Sequence, residues 1–272
     1  MTASISAYVP CFNNRATVRA AVESLARQTV PPGEILVIDD GSSDDSVAQF
    51  DGLPVRVLRH AENLGRGAVR ATAMREARAE LVLSLDATNR LPADFIARAL
   101  PWFDDPQVGA VFGPIHDPEP RGAIDRWRAR HVFRQFSPTG PVQSGAMLAT
   151  YGTVVRAGAV VRAGGFNPAL RHSEDADLGR RMLATGGDVL FVPELKTLSN
   201  VRNSLLAVME RYSRWSAGAS GRTDFRTWWR ATVYAWRAML PMDLRAGDPA
   251  AAGISLISPL FQFRHLFGSL RK

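Results

Sequence analysis

The chain has 272 residues, of which 46% are hydrophobic and 22% charged, an ordinary composition for a globular protein with one sizeable core. A single cysteine, Cys11, excludes an internal disulfide framework and indicates a reducing compartment. The net charge of +7 favours an anionic partner, such as nucleic acid, anionic lipid or a phosphorylated small molecule. The alternative is an arginine-rich surface with no such partner.

No targeting or membrane-spanning segment is predicted. Arg15 and Arg19 follow the first apolar run too soon for a signal peptide. The most apolar later stretch, 250–263, is too short to cross a bilayer and contains Gly253 and Pro259. The sequence therefore predicts a cytoplasmic protein.

Apolar runs alternate with helical patterns over the first 115 residues. The predicted strands are Ile5–Val9, Glu34–Ile38, Val55–Leu58, Leu81–Leu85 and Val108–Phe112. The predicted helices are Thr17–Gln28, Ser43–Phe50, Arg66–Ala79 and Ala93–Phe103. This alternation indicates βαβ units and a mostly parallel α/β sheet.

Polar residues follow three of these strands, in Pro10–Asn14, Asp39–Ser42 and Asp86–Asn89. In open parallel sheets, ligands bind beyond the carboxyl ends of the strands. Three strands that each end in polar residues therefore predict a ligand cleft at that edge.

Later segments are less regular. Residues 114–150 are interpreted as a loop and a helix that lie across the sheet, and Val189–Val192 as a further strand. Residues 202–237 contain seven arginines, two acidic residues and four tryptophans, and their pattern indicates two amphipathic helices. We therefore predict one α/β domain over 1–200 and a helical, basic segment over 201–272.

Three motifs carry candidate chemistry, and each has a structural alternative. The carboxylates of 39–42 can accept hydrogen bonds from a base or a ribose, or the motif can cap the next helix through Ser42. Phe12 can stack on a base or belong to the core. The glycines of 63–67 open a helix and allow an anion to approach free backbone N–H groups, although they do not form a dinucleotide-binding fingerprint.

The third motif, 172–181, holds three carboxylates and two arginines. Glu174 and Asp177 are spaced i,i+3 at the start of a helix, so Asp175 between them points elsewhere, towards the cleft. Such a carboxylate can act as a general base. The alternative is a charge cluster in which Glu174 or Asp177 pairs with Arg180 or Arg181.

Taken in order, these motifs resemble family 2 glycosyltransferases over about residues 4–196. The segments that carry the resemblance are Val-Pro-Cys-Phe-Asn-Asn (9–14), Ile-Asp-Asp-Gly-Ser-Ser-Asp (38–44), Glu-Asn-Leu-Gly with Arg (62–70), Leu-Asp-Ala-Thr-Asn with Leu-Pro (85–92), Gly-Gly-Phe-Asn (164–167) and Glu-Asp-Ala-Asp-Leu with Arg (174–181). The resemblance implies a Rossmann-like GT-A fold, a nucleotide-diphosphate-sugar donor and inversion at the anomeric carbon.

The resemblance also implies roles for individual residues. The implied donor-site residues are Pro10, Phe12, Asn13, Asp40, Gly65, Arg70, Asp86 and Ala87. Among these, Arg70 is expected near the base or ribose and Asp86 on the ribose side. Asp175 takes the place of the catalytic base that deprotonates the acceptor hydroxyl, with Glu174 beside it on the diphosphate or acceptor side.

Two departures from the family pattern concern a divalent metal. The family commonly has Asp-Ala-Asp-Asp where this chain has Asp-Ala-Thr-Asn at 86–89, and often a histidine where this chain has Ser199 or Asn200. Because Mn²⁺ and Mg²⁺ prefer anionic oxygens, we expect either no metal requirement or weak binding through Asp86, whose usual partner is replaced by Thr88.

The leaving diphosphate still needs positive charge. Arg211 and Arg214 are the sequence-based candidates for it, and they belong to a degenerate form (211–215) of the family's Gln-x-x-Arg-Trp motif. Arg211 replaces the glutamine, so processive synthesis is not inferred.

The predicted function is transfer of a sugar from a UDP-type donor to an unknown carbohydrate, lipid-linked or protein acceptor, in surface polysaccharide or glycolipid synthesis. The rival hypothesis is a non-catalytic nucleotide-sugar-binding module, which the Thr88 replacement keeps open. A sugar nucleotidyltransferase is disfavoured because 10–14 is not a glycine-rich basic loop, and nucleic acid is disfavoured for lack of a reading motif. The basic C-terminal segment is predicted to touch an anionic membrane, at its inner face; the alternative is that its tryptophans pack on the GT-A domain.

Overall fold

The computed structural model describes residues 4–136, 140–217 and 224–267, with side chains for all of these except 214–217 and 264–267. The chain divides into two compact units. The first consists of Met1–His116 with Thr139–Val201, and the second of Asp117–Pro138 with Arg202–Lys272.

The first unit is built on two sheets. The strands in chain order are β1 (Ile5–Cys11), β2 (Glu34–Asp39), β3 (Arg56–Arg59), β4 (Leu81–Leu85), β5 (Asn89–Arg90), β6 (Val108–Phe112), β7 (Ile115–His116), β8 (Gly152–Arg156), β9 (Asp188–Phe191) and β10 (Thr197–Ser199). The large sheet has the order β3-β2-β1-β4-β8-β6-β9, and only β8 runs antiparallel to its neighbours. The strands of the small sheet have the order β5-β10-β7.

The central strands of the large sheet are buried on both faces because they are mostly apolar. Along β1, Ala7 and Val9 belong to one core and Tyr8 to the core on the opposite face. This alternation follows from the two-residue period of a strand. The order of the central strands reverses direction between β1 and β4, which creates a crevice at their carboxyl ends.

Helices cover both faces. The described helices are α1 (Val18–Ala26), α2 (Arg66–Glu76), α3 (Phe95–Ala99), α4 (Ala123–Trp127), α5 (Ala157–Arg162), α6 (Glu174–Ala184), α7 (Leu205–Ala217), α8 (Phe225–Tyr234), α9 (Leu240–Arg245) and α10 (Pro249–Phe267). Helices α1 and α3 pack in one core, and α2, α5 and α6 in the other. The predicted α/β architecture with a mostly parallel sheet and a helical C-terminal region is confirmed.

Two predicted helices are shorter than expected. The helix predicted over 43–50 is reduced to a 3₁₀ turn at Val47–Phe50, because Asn13 Oδ1 accepts hydrogen bonds from the backbone N–H groups of Ser43 and Asp44. Such side-chain bonds compete with helical ones. The helix predicted over 93–103 becomes α3 and a 3₁₀ turn that starts at Leu100, where Pro101 cannot donate a backbone hydrogen bond.

The second unit has its own apolar core, which includes Trp127 of α4 and Met239. Residues 117–136, part of the 114–150 stretch that was expected to lie across the sheet, pack with the C-terminal helices in the second unit. The indole of Trp127 donates to Ser255 Oγ at 2.9 Å, and Arg126 binds both carboxylate oxygens of Asp248. Within the residues that the structure describes, no helix combines the length and apolarity needed to cross a membrane.

Candidate functional site

A cavity of about 340 Å³ lies in the first unit at the carboxyl ends of β1, β2 and β4. Its lining residues are Pro10, Cys11, Phe12, Asn14, Asp40, Asn63, Gly65, Arg66, Val69, Asp86, Ala87, Thr88 and Arg171. The cleft predicted from the three polar strand ends is therefore present, and six of the eight expected donor-site residues line it. The other two, Asn13 and Arg70, do not.

Asn13 fixes the loop that follows β1. Its backbone lies in the left-handed region with φ of 51°, and its N–H donates to Ser42 Oγ at 2.9 Å. Its side chain accepts from the backbone N–H of Ser43 at 2.9 Å. Asn13 thus joins the loops after β1 and β2 and supports Phe12, which is 43% exposed beside the cavity.

The buried carboxylate of Asp40 holds the loop that leads into α2. It accepts hydrogen bonds from the N–H groups of Leu64 at 3.0 Å and Gly65 at 2.8 Å, and its Oδ1 lies 2.7 Å from Nδ1 of His60. Sequence reasoning did not single out His60, because nothing near it in the chain marks a functional role. Asp40 therefore shapes the cavity wall as well as lining it.

The start of α2 offers fewer free backbone donors than its glycines suggest. The N–H of Gly65 is bound by Asp40, and that of Gly67 donates to the carbonyl oxygen of Leu170 at 3.0 Å. A Cβ at Gly67 would lie 2.2 Å from the carbonyl oxygen of Asn167, so this glycine permits close packing between two loops. Neither of these N–H groups is available to an anion.

Arg70, which was expected near the base or ribose, is buried and does not line the cavity. Its guanidinium donates to Glu174 Oε1 at 2.9 Å, Asp86 Oδ1 at 3.0 Å and Ser84 Oγ at 2.7 Å. It also donates to the hydroxyl of Tyr8 at 3.2 Å. One buried arginine thus connects β1, β4 and α6 and fixes the carboxylate of Asp86 at the cavity wall.

The two neighbouring acids at the start of α6 have different environments. Glu174 is fully buried and paired with Arg70, whereas Asp175 is only partly buried. Burial, followed by the negative charge of Glu174, raises the pKa of Asp175 above its usual range. Asp175 also interacts electrostatically with Arg66, which lines the cavity.

Tyr151 gives a second sign that Asp175 lies near the site. Burial, and then the charges of Asp175 and Asp86, raise the pKa of Tyr151 above its ordinary value. Both carboxylates therefore interact electrostatically with the same phenol. The sequence offered an alternative in which Glu174 or Asp177 pairs with Arg180 or Arg181. Asp177 does form such an ion pair, with Arg181 at 2.7 Å, whereas Glu174 pairs with Arg70.

Two arginines that the sequence analysis did not select, Arg66 and Arg171, line the cavity. Arg66 is the first residue of α2, and its side chain is 52% exposed. Arg171 donates hydrogen bonds to the carbonyl oxygen and the side-chain oxygen of Asn63. The segment 170–171 is far from 63–66 in the chain, so the packing around Gly67 was needed to reveal this pair.

The two departures from the family's metal pattern lie side by side. Ser199 of β10 pairs with Asn89 of β5, and the N–H of Asn200 donates to the carbonyl oxygen of Thr88 at 2.8 Å. Asp86 is the one acidic residue of the 86–89 motif, and Arg70 already binds one of its oxygens. Among the described residues, no group of three His, Cys, Asp or Glu side chains could hold a metal ion. The side chains in this place do not fit a divalent cation, which prefers several anionic oxygens.

The sequence-based candidates for diphosphate binding belong to the second unit. Arg211 lies on α7, and the side chain of Arg214 on the same helix is outside the described residues. Their role stays a prediction.

A doubly covered α/β sheet with a cavity at its switch point has the arrangement in which open α/β sheets bind their ligands. The profile of glycosyl transferase family 2 matches residues 6–161, and the chain belongs to that family. An N-acetylglucosaminyltransferase of Bradyrhizobium diazoefficiens is 24% identical over 88% of this chain and 52% of its own length. A pre-mycofactocin glycosyltransferase of Mycobacterium tuberculosis is 27% identical over 70% of this chain and 41% of its own length. The chain thus spans about half the length of these relatives.

Solved structures with the same fold include the Pyrobaculum calidifontis mannosyltransferase PcManGT in complex with GDP-Man and Mn²⁺. It is 18% identical, with a TM-score of 0.64 over 100% of this chain and 88% of that one. Staphylococcus aureus TarS 1–349 in complex with UDP-GlcNAc is 17% identical, with a TM-score of 0.59 over 98% of this chain and 76% of that one. The predicted GT-A fold and glycosyltransferase class are confirmed, and the non-catalytic alternative is not favoured.

Proposed function

We propose that the chain transfers a sugar, with inversion, from a nucleotide-diphosphate sugar of the UDP type to a carbohydrate, lipid-linked or protein acceptor. The observation that carries this proposal is a partly buried Asp175 directly after Glu174, which Arg70 connects to Asp86 at the wall of the cavity. The N-acetylglucosaminyltransferase relatives and the UDP-GlcNAc complex of TarS support a UDP-type donor. The family analogy also supports a place in surface polysaccharide or glycolipid synthesis.

In this mechanism Asp175 takes the proton from the acceptor hydroxyl as its oxygen attacks the anomeric carbon. The bond from that carbon to the diphosphate breaks on the opposite face, so the configuration inverts. A raised pKa makes the carboxylate a stronger base than a solvated aspartate, which favours proton transfer near neutral pH. Arg70 positions Asp86 and Glu174 and keeps α6, with Asp175, at the edge of the cavity.

A thermal-shift screen against UDP, GDP, CDP and their sugars tests the donor class. We expect stabilisation by one nucleoside diphosphate and its sugar, and release of that nucleoside diphosphate during turnover. In Asp175→Asn we expect the same stabilisation by the ligand but no release of the nucleoside diphosphate. Binding of a nucleotide sugar without turnover, with every acceptor tried, would instead favour the non-catalytic module.

We also propose that turnover depends weakly or not at all on Mn²⁺ or Mg²⁺, because the 86–89 motif and its neighbours Ser199 and Asn200 supply one carboxylate. The measurement is the initial rate in EDTA against added metal. Rates within about threefold of each other are expected. A hundredfold loss in EDTA that Mn²⁺ restores would contradict the proposal.

The second unit is proposed to touch an anionic membrane surface. On α8 and α10, large apolar side chains are exposed, including Trp229 (51%) and Leu260 (65%). The only acidic residues within 225–263, Asp243 and Asp248, are buried, whereas the arginines of that stretch are exposed. Aromatic and aliphatic side chains beside arginines are typical of a surface that lies on lipid.

Vesicle flotation tests this surface. The chain should float with anionic vesicles and not with neutral ones, and Trp229→Glu with Leu260→Glu should abolish flotation. Met147→Glu is the matched control, because Met147 is 75% exposed but belongs to the first unit. Flotation that survives the double substitution would place the contact elsewhere.

A further inference from the structure

We propose that Arg66 and Arg171 bind the diphosphate of the donor and supply the positive charge that a divalent cation would otherwise provide. This inference rests on the proposed donor class and adds the residues that recognise its charged part. Both arginines line the cavity and belong to the first unit, unlike Arg211 and Arg214.

The need for side-chain charge follows from what the rest of the cavity lacks. The residues beside Asp86 do not fit a metal, as described above, and Asp86 is itself bound to Arg70. The backbone N–H groups of Gly65 and Gly67 are bound by Asp40 and Leu170. With these two N–H groups occupied, we expect cationic side chains to supply most of the positive charge for a diphosphate in this cavity.

Arg171 is held in a fixed position for this role. Its guanidinium binds two oxygens of Asn63, and its stem packs against Gly65, where an added Cβ would lie 3.0 Å from Arg171 Cγ. Gly65 has φ of 95°, a conformation that favours glycine, and this permits the close approach. Its planar guanidinium, oriented before the ligand arrives, loses little freedom when a phosphate binds.

Arg66 is held more loosely. Its Nε lies 3.8 Å from Glu174 Oε2, which is too long for a hydrogen bond. That oxygen of Glu174 is buried and has no hydrogen-bond partner among the described residues. The guanidinium of Arg66 therefore remains available to a ligand while its charge offsets that of Glu174 beneath it.

Calorimetric titration in EDTA tests the inference with two probes: the nucleoside diphosphate that stabilises the chain best, and its nucleoside without phosphates. Arg66→Gln and Arg171→Gln should each weaken diphosphate binding by about tenfold or more, the usual order for a charge-assisted phosphate contact, and leave nucleoside binding within about twofold. Arg180→Gln is the matched control, because Arg180 is 74% exposed on α6 and pairs only with Asp177 among the ion pairs of the described residues. Arg180→Gln should bind both probes as tightly as the unsubstituted chain does.

Several outcomes overturn the inference while the donor class stands. These are undiminished diphosphate binding in both variants, equal losses for nucleoside and diphosphate, or a loss confined to Arg211→Gln. Binding that requires Mn²⁺ would show that a metal supplies the charge. If no nucleotide of any base binds the unsubstituted chain, the proposed function itself fails, and this inference fails with it.

Discussion

Both units contain a buried ionic cluster around one central residue, Arg70 in the first unit and Asp243 in the second, and these two residues are opposite in charge. In the first unit one cation, Arg70, lies between the carboxylates of Glu174 and Asp86. In the second unit one carboxylate, Asp243, lies between the cationic side chain of Arg130 and the imidazole of His131.

The difference between the clusters lies in their access to a cavity. Asp86 is partly exposed and lines the cavity, and Asp175 follows Glu174 directly in the chain. Asp243, by contrast, is completely buried, and Ser255 Oγ donates to it at 2.6 Å. Burial lowers the pKa of His131 more than the hydrogen bond and charge of Asp243 raise it. A buried ionic cluster therefore does not identify a functional site by itself. The first cluster differs because one of its members, Asp86, is partly exposed and lines the cavity.

The largest effect is expected at Asp175, the partly buried acid that follows Glu174 of the first cluster. Asp175→Asn removes the proposed base while keeping size and backbone hydrogen bonding, so turnover should fall about 10²- to 10⁴-fold with donor affinity unchanged. Steady-state rates and calorimetry measure the two quantities. Asp177→Asn is the control, because Asp177 lies on the same helix turn but pairs with Arg181.

The pH dependence gives an independent check on the same residue. The base must be ionised, and the raised pKa of Asp175 means that kcat/KM should fall with decreasing pH at a point above the ordinary aspartate value of about 3.9. The residual kcat/KM of Asp175→Asn should not show this fall at low pH. Near-normal turnover of Asp175→Asn together with an inactive Glu174→Gln would show that the assignment within the pair is wrong.

The next effect concerns Arg70. Arg70→Met leaves Glu174 as a buried carboxylate whose closest cation, Arg66, is 3.8 Å away, so the free energy of unfolding should fall by about 3–5 kcal/mol. Urea unfolding of the full chain measures this loss. Arg66→Met should cost less than about 1 kcal/mol, since its side chain is half exposed. Equal costs for the two variants would contradict a structural role for Arg70.

A smaller loss is expected in the second cluster. Asp243→Asn keeps an acceptor for Ser255, and Arg130 keeps its ion pair with Asp248 at 3.7 Å, so the free energy of unfolding should fall by about 1–3 kcal/mol. Turnover per folded molecule should not change, because none of these residues lines the described cavity. A large fall in turnover without a loss of stability would give the second cluster a functional role.

The smallest effect is expected at Cys11, which lines the cavity but is 1% exposed. Burial raises the pKa of its thiol to about 11, so the reactive thiolate is scarce at neutral pH. Iodoacetamide should modify it slowly, and Cys11→Ala should leave turnover within about twofold. Rapid modification that a nucleoside diphosphate prevents would mean that the thiol faces the ligand more openly.

The sequence predicted the strands that carry the site, because each is a short apolar run that ends in polar residues. The bounds of Leu81–Leu85 and Val108–Phe112 coincide with those in the structure. Residues after strand ends, such as Pro10 and Asp86, were therefore placed at the cavity correctly from local pattern alone.

The sequence could not predict contacts made by residues far apart in the chain. Arg70 lies on a helix next to a glycine-rich motif, which suggested a ligand contact, but its partner Glu174 is 104 residues away. Arg171 was overlooked because its place in the cavity depends on the loop that packs against Gly67. Likewise, the packing of 117–136 with the C-terminal helices depends on long-range pairs such as Arg126 with Asp248.

A crystal structure of the chain with its best-binding nucleotide sugar would locate the donor relative to Asp175. We expect the nucleobase beside Pro10 and Phe12, the diphosphate between Arg66 and Arg171, and the anomeric carbon open to attack from the side of Asp175. A donor bound outside this cavity, or one whose anomeric carbon is shielded from Asp175, would show that Asp175 is not the catalytic base.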